Sequence, residues 1–336
     1  MDIGMGVYTG AAAGGDPASA TPPRRPGSVR RTTTHDGTWP QGFDGPVTMV
    51  ARGRDLLTTA EGEAVTLASA RLDVAARYRE GLITEVRADP PHPGTAALAG
   101  PYLFAGYRRA LSEALPGEGL THSVRFQLLD ELPAALLASG RSLRAGGAGI
   151  RRSGGPKSID VCAGWASGGE LLANYSDLGP PLRRGPQAPV LEPAEDPLAW
   201  HAAEPLPPHA TRRRRRLDIW REGEEAFANA FFRDSHVDGD GVETIVHEWA
   251  LQARIDPVAR RFLSGAARTG PLPYSECPSA AASAGRLADM PIDGLRRAVG
   301  KAFVGPSTCT HLNDTFRSLE DAGALLDILQ TGRLAG

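Results

Sequence analysis

The segment PSTCTHLNDTFRSL, Pro306–Leu319, places Cys309, His311 and Asp314 at the expected start of a helix, just after Gly305. A thiol, an imidazole and a carboxylate so close together can ligate a metal ion or move a proton. Thr310 or Ser307 is the expected N-cap. A cysteine near the positive end of a helix is expected to ionise more readily than usual. His311 and Asp314 stand at i and i+3 and share a face. If the chain brings Cys277 of the SECP segment alongside, then Cys277, Cys309, His311 and Asp314 form a candidate set for Zn or Fe. No CxxC or HExxH accompanies them. A buried thiol, a capping histidine and a helix-surface aspartate account for the same residues.

Without a metal, the same residues suggest a nucleophilic Cys–His pair. Cys309 and His311 stand at i and i+2, which point apart within one helix. Local pairing would need non-helical backbone between them, so a histidine from elsewhere, His35, His122, His236 or His247, is the preferred partner. A second grouping lies around a DGDG turn, Asp238–Gly241. Under strict alternation residues 243, 245 and 247 share one face of a strand, so Glu243 and His247 could form an acid–base pair; Glu248 beside His247 is the other carboxylate that could complete such a set. A solvated Glu243 with His247 beneath Trp249 is the plainer alternative.

The most visible charge block is Arg212–Arg216 in TRRRRRLDIW. Arg212, Arg214 and Arg233 are candidates for binding an anionic substrate. The same arginines fit a solvated strand or an ion-pair network. Acidic flanks at Asp218, Glu222, Glu224 and Glu225, with no zinc-finger or helix-turn-helix pattern, argue against nucleic acid. There is no GxGxxG, no GxxxxGK[ST] and no GxSxG, so neither a nucleotide cradle nor a nucleophile elbow is expected.

These groups need elements to hold them. RTTTHDGTW, Val47–Leu57 (broken by Gly53), Val65–Ala76 and Leu82–Ala88 are expected as strands, followed by helices in Thr95–Leu115 and Ser123–Ala138. Pro133 should kink or restart the second helix. The second half repeats the order. TRRRRRLDIW, Phe227–His236 and Val242–Ile255 are expected as strands, the last two flanking the DGDG turn. Helices are expected at Ser279–Leu287, Ile292–Phe303 and Leu312–Gln330. VRRTTTHD can be set against TRRRRRLD, and Thr121-His122 against Thr310-His311. The expected class is therefore α+β, with two pseudo-repeated halves, each a small meandering antiparallel sheet packed against helices. The expected divisions are a loose N-terminal arm at 1–28, a first half at 29–138, a Gly/Pro-rich excursion at 139–199, and a second half at 200–332 carrying the site. The excursion is either a linker or a lid, since its length exceeds an ordinary loop.

Composition bounds the reading. The chain has 336 residues, enough for about two domains of ordinary size. A net charge of -2 gives no global field for nucleic acid or an anionic membrane. Three cysteines are too few for a disulfide framework, and no secretory leader is evident at the N-terminus, so a cytoplasmic protein with reduced thiols is expected. No apolar run is long enough to span a membrane. Of 37 basic residues only Lys157 and Lys301 are lysine, which warns against treating each arginine as a chosen ligand.

The segments RRTTTHDGTW, GRDLL, CAGW, LAWH, TRRRRRLDIW, FRDSHVD, VHEWALQARID, ECPSAAASA and CTHLNDTFRSL occur together. With them the chain resembles a bacterial family known only as a domain of unknown function, over about residues 30 to 325. The resemblance supplies no mechanism. Its motifs fall on Cys162, Trp165, Trp200, His201, Arg233, Asp234, His236, His247, Glu248, Cys277, Cys309, His311 and Asp314. A fainter likeness is to small α/β sulphur and iron–sulphur scaffold proteins. The first half has no cysteine, which argues against two equivalent cluster sites.

The leading expectation is an enzyme of small-molecule metabolism. It would act on a carboxylate- or thioester-containing substrate, by metal-dependent acid–base, lyase, isomerase or hydrolase chemistry. His247, Glu243, Glu248 and His311 are the catalytic candidates. The alternative is a non-catalytic cofactor- or protein-binding module. A homodimer is compatible with either.

Overall fold

A computed structural model of the chain describes residues 8–149 and 156–331. Its centre is one eight-stranded antiparallel sheet. The strands are β1 (Ser28–Thr38), β2 (Val47–Thr58), β3 (Ala64–Arg77), β4 (Leu82–Asp89), β5 (Thr211–Glu222), β6 (Glu225–Val237), β7 (Glu243–Asp256) and β8 (Arg261–Thr269). Their spatial order is β8-β7-β6-β5-β1-β2-β3-β4.

The α+β class therefore holds. Each half contributes a four-stranded meander, but the two are not separate sheets. β1 and β5 pair antiparallel from Ser28 opposite Trp220 to Gly37 opposite Thr211, which fuses the meanders along their first strands. Pairing the two buried inner strands leaves only β4 and β8 as edges, which limits exposed strand hydrogen bonds. The strand order does not by itself show an internal repeat.

Two short ladders, Tyr8–Ala11 with Leu182–Arg184 and Ala13–Gly14 with Pro271–Leu272, accompany the helices α1 (Tyr107–Ala114), α2 (Glu118–Thr121), α3 (Val124–Ala145), α4 (Glu170–Ala173), α5 (Leu295–Ala302), α6 (Thr310–Ser318) and α7 (Ala322–Thr331). The long α3 lies across β1, β2, β3 and β5, while α6 meets β6 and α7 meets β1 and β5. The Ser123 hydroxyl caps α3 by accepting from Phe126 N at 3.1 Å. α3 runs through Pro133 without interruption. The helix expected over Thr95–Leu115 is instead a 3-10 segment, Pro93–Leu98, followed by α1; Gly100-Pro101 breaks the run. Cys277–Leu287 is likewise 3-10, and the expected Leu312–Gln330 helix is divided into α6 and α7 by a 3-10 turn.

Gly53 does not break β2. A Cβ there would stand 2.5 Å from Val124 Cγ2, so the missing side chain is what lets α3 start against the sheet. Two apolar cores result. One joins β2–β4 to α1 and α3, and the other joins the second meander to the C-terminal helices.

The opposite sheet face is covered by chain segments without regular structure. The described part of the arm expected to be loose is tied there. Ala18 N donates to Glu248 Oε1 at 2.7 Å, and Arg233 and Arg30 donate to the carbonyls of Ala18 and Pro22. The Gly/Pro-rich stretch also departs from a simple linker. Its first residues, Ser139–Ala145, belong to α3, and near its end Leu191 and Ala199 are buried with Phe231 of β6. The chain then leads directly into Trp200 and His201, both buried against β6 and β1. The SGGP segment lies mostly outside the described residues.

Candidate functional site

The site is a row of side chains running across four strands. His35 on β1 stands opposite Arg213 on β5, Arg213 opposite Asp234 on β6, and Asp234 opposite His247 on β7. Directly opposed residues project to the same face of a sheet, and here that face is the one under the helices. The first turn of α6 then lays His311 on this row. Its ring stacks on His247, and its Nε2 lies 3.8 Å from Asp234 Oδ2.

His247 reaches this face because of a β-bulge. The β6–β7 register shifts between Ile245, opposite Ser235, and His247, opposite Asp234. The extra residue, Val246, breaks the alternation expected over residues 243, 245 and 247. Glu243 remains on the other face, where it accepts from Ser235 Oγ at 2.5 Å. Glu248 is also on that other face, 2.5 Å from Arg233 Nε. The structure therefore unites His247 and His311 and leaves Glu243 and Glu248 beneath the sheet. Bulges commonly re-aim one side chain in this way.

The arginine strand alternates as its length requires. Arg213 and Arg215 face the helices. Arg213 holds Asp234 with a two-pronged fork, Nε to Oδ1 at 2.9 Å and Nη2 to Oδ2 at 2.8 Å. Its remaining prong, Nη1, lies 3.6 Å from Asp314 Oδ2. Arg215 pairs with Glu131 of α3 and donates to Thr315 Oγ1. Arg212, Arg214 and Arg233, the candidates for substrate binding, face the other way. Arg212 forks onto Asp36, Arg214 meets Glu192 at 2.5 Å, and Arg233 meets Glu248. Each is engaged with a carboxylate of this chain.

Burial sets the charge states around the row. Desolvation pushes His311 down to about 3, and the nearby Arg213 and Arg215 push in the same direction. His247 is held well below its ordinary value by desolvation and by His311 beside it. Both imidazoles are therefore neutral at pH 7 and carry a lone pair. Asp314 is raised by burial, against the pull of Arg213, Arg215 and Arg108.

The cysteines behave differently from expectation. All three are free and buried. Cys309, and neither Thr310 nor Ser307, stands at the N-cap of α6, with Thr310 the first residue inside the helix. Ser307 instead accepts from Arg286. Burial pushes the Cys309 thiol up to about 12, outweighing the hydrogen bonds from Leu312 and His311 N–H groups, and it raises Cys277 and Cys162 as well. Cys309 has extended backbone, so its sulfur turns toward its own neighbour and sits 3.9 Å from His311 Nδ1. The expected divergence of Cys309 and His311 assumed both lay inside the helix.

Among the described residues, one group of side chains brings three ligand atoms within 4.8 Å of one another: Asp234, His247 and His311. Of the expected set of Cys277, Cys309, His311 and Asp314, only His311 belongs to it. Residues 211–324 match the family model DUF2889, a protein of unknown function. That agrees with the resemblance to an uncharacterised family, over a shorter stretch than residues 30 to 325. The DUF2889 segment runs from the first residue of β5 into α7 and contains Arg213, Asp234, His247, His311 and Asp314. His35 and α3 come from outside it. No curated protein and no solved structure matches the chain.

The row borders a cavity of about 270 Å³. Arg213, Asp234, His247 and His311 line one side; Arg141 and Arg144 of α3, with Trp165 and Tyr274, line others. About a quarter of the His311 side chain, 26%, is accessible, so a small molecule in the cavity can reach it. A larger cavity of about 480 Å³ lies around Pro22, Trp220 and Gln252. It is bordered by no histidine or cysteine. No helix among the described residues is long and apolar enough to cross a membrane.

Sequence reasoning missed Asp234 and Arg213 as members of this centre. Their register signal was present, because Arg213 and Asp234 lie equally far from the turn joining β5 to β6. His247 and His311, both candidates from the sequence, lie together in it.

Proposed function

We propose that the protein is an enzyme acting on a small carboxylate- or thioester-containing molecule held in the cavity beside His247 and His311. The observation that carries this is the meeting of two neutral imidazoles, from a bulged strand and a helix start, at the wall of that cavity. Neutral imidazoles can accept a proton or ligate an electrophilic ion. Arg213 orients Asp234 beside them, and Arg141 and Arg144, which donate to the carbonyls of Arg183, Leu178 and Pro180, line the same space, where their positive charge suits an anionic substrate.

The volume sets the scale: a compact metabolite fits and a polymer does not. In this reading His311 is the group that touches substrate, because its ring is partly accessible. His247 supports it from beneath, and Asp234 sets the local polarity. The arginines expected to bind substrate, Arg212, Arg214 and Arg233, are assigned to holding the covering segments on the sheet.

The test is a panel of small carboxylates and acyl thioesters, followed both by thermal shift and by product detection. Turnover that falls by about 100-fold or more in folded His311→Gln is expected for a proton-transferring group. Stoichiometric binding without turnover of any member would favour the binding-module alternative.

A further inference from the structure

We propose that Asp234, His247 and His311 form a mononuclear site for a divalent transition-metal ion, zinc or ferrous iron. This rests on the reading of the cavity as the functional site and names the cofactor it would use.

Four observations converge on it. The three ligand atoms lie within 4.8 Å of one another although they come from β6, β7 and α6. Donors sharing one ion at bonds of about 2.0–2.2 Å stand about 3–3.5 Å apart, so small side-chain rotations close the set. His247 Nδ1 is buried and has no hydrogen-bond partner. A buried polar nitrogen without a partner is costly, and an ion beside it supplies what is missing.

The carboxylate is also prepared. Arg213 fixes both oxygens of Asp234, yet a carboxylate has about four lone-pair positions, so two remain for a cation. The outer side of His311 is supported too. Its Nδ1 faces the Cys309 thiol, while its Nε2 faces Asp234. Metal-bound histidines ordinarily use one ring nitrogen for the ion and the other for a neighbouring polar group.

The donor chemistry selects the ion class. Two imidazoles and a carboxylate suit zinc or ferrous iron, whereas calcium and magnesium favour all-oxygen sites. Three protein donors leave coordination positions open, as in catalytic and not structural sites. Those positions lie beside the cavity, where a water or a substrate oxygen can occupy them.

The experiment titrates Co(II) into the metal-free full-length protein and records its visible absorption. One equivalent bound is expected. Uptake should disappear in His247→Ala and His311→Ala, and weaken by about tenfold or more in Asp234→Asn. Cys277→Ser should bind as the wild type does. Far-ultraviolet circular dichroism checks folding, and His247→Gln and His311→Gln serve if an alanine variant unfolds. Folded wild type that takes up no stoichiometric Co(II) would overturn the proposal. So would uptake that survives in folded His247 and His311 variants or depends on Cys277. Metal binding without turnover of any small molecule would leave this site standing and defeat the proposed function; turnover by a protein that takes up no Co(II) would do the reverse.

Discussion

The imidazole rings of His247 and His311 lie 3.6 Å apart, centroid to centroid, and are inclined by only 22°. Two neighbouring histidines cannot both be charged at that separation without strong repulsion, and each is already held neutral by burial. Their proximity depends on the one-residue bulge in β7 and on where α6 begins.

Arg213 is the electrostatic hinge of the row. It neutralises Asp234 and approaches Asp314, with only 3% of its side chain accessible. Arg213→Ala leaves a buried carboxylate without its partner, and a loss of about 3–5 kcal/mol is expected in urea denaturation. Arg213→Lys should recover only part of it, because an ammonium cannot form the two-pronged contact.

Gly53 is a packing residue. Gly53→Ala would place a methyl group 2.5 Å from Val124 Cγ2 and crowd Thr33. The expected cost is about 1–3 kcal/mol, read as a lower melting temperature. Val124→Ala in the same chain should return part of the loss, since it removes the atom that is struck. Independent, additive losses would contradict the close approach of α3 to β2.

His201 supplies a pH dependence away from the site. Its ring sits between the hydroxyls of Thr32 and Thr34, at 2.8 and 3.0 Å, and desolvation with the surrounding arginines lowers it to about 3. The unfolded chain takes up that proton near pH 6.5, whereas the folded chain does not until about pH 3. Between those values the unfolded state binds more protons, so stability falls as pH is lowered through this window. The slope from one such histidine is about 1.4 kcal/mol per pH unit. In His201→Gln the slope of unfolding free energy between pH 4 and 6 should shrink by about that amount. An unchanged slope would show that His201 titrates normally in the folded chain.

The thiols should be inert. Cys309 and Cys277 are buried and raised by desolvation. Little reaction with an aromatic disulfide reagent is expected at pH 8 in native protein, and three equivalents in denaturant, matching the three free cysteines. Fast reaction of one thiol in the native state would restore Cys309 as a nucleophile.

Much of the framework is legible in the sequence. The strands expected over RTTTHDGTW and TRRRRRLDIW, and those flanking the DGDG turn, are the ones that carry the row. What the sequence hides is pairing at a distance. Nothing local says that β1 and β5 lie side by side, so the juxtaposition of His35 with Arg213 is invisible. The bulge at Val246 is equally hidden, since no glycine marks it, and strict alternation sends His247 to the wrong face. The arginines mislead for another reason. A run of five looks solvated or ligand-binding, yet Asp36, Glu131, Asp234 and Glu192 from other parts of the chain, and Asp218 from the same strand, pair with it. Cys309 shows the limit of helix-end reasoning, because burial outweighs the favourable position.

The most direct test is a crystal grown with Zn(II) and measured on both sides of the zinc absorption edge. A single strong anomalous peak is expected about 2.0–2.2 Å from Asp234, His247 and His311, with its remaining positions facing the cavity. Well-ordered crystals with no peak there, or with the peak between Cys277 and Cys309, would contradict the proposed site.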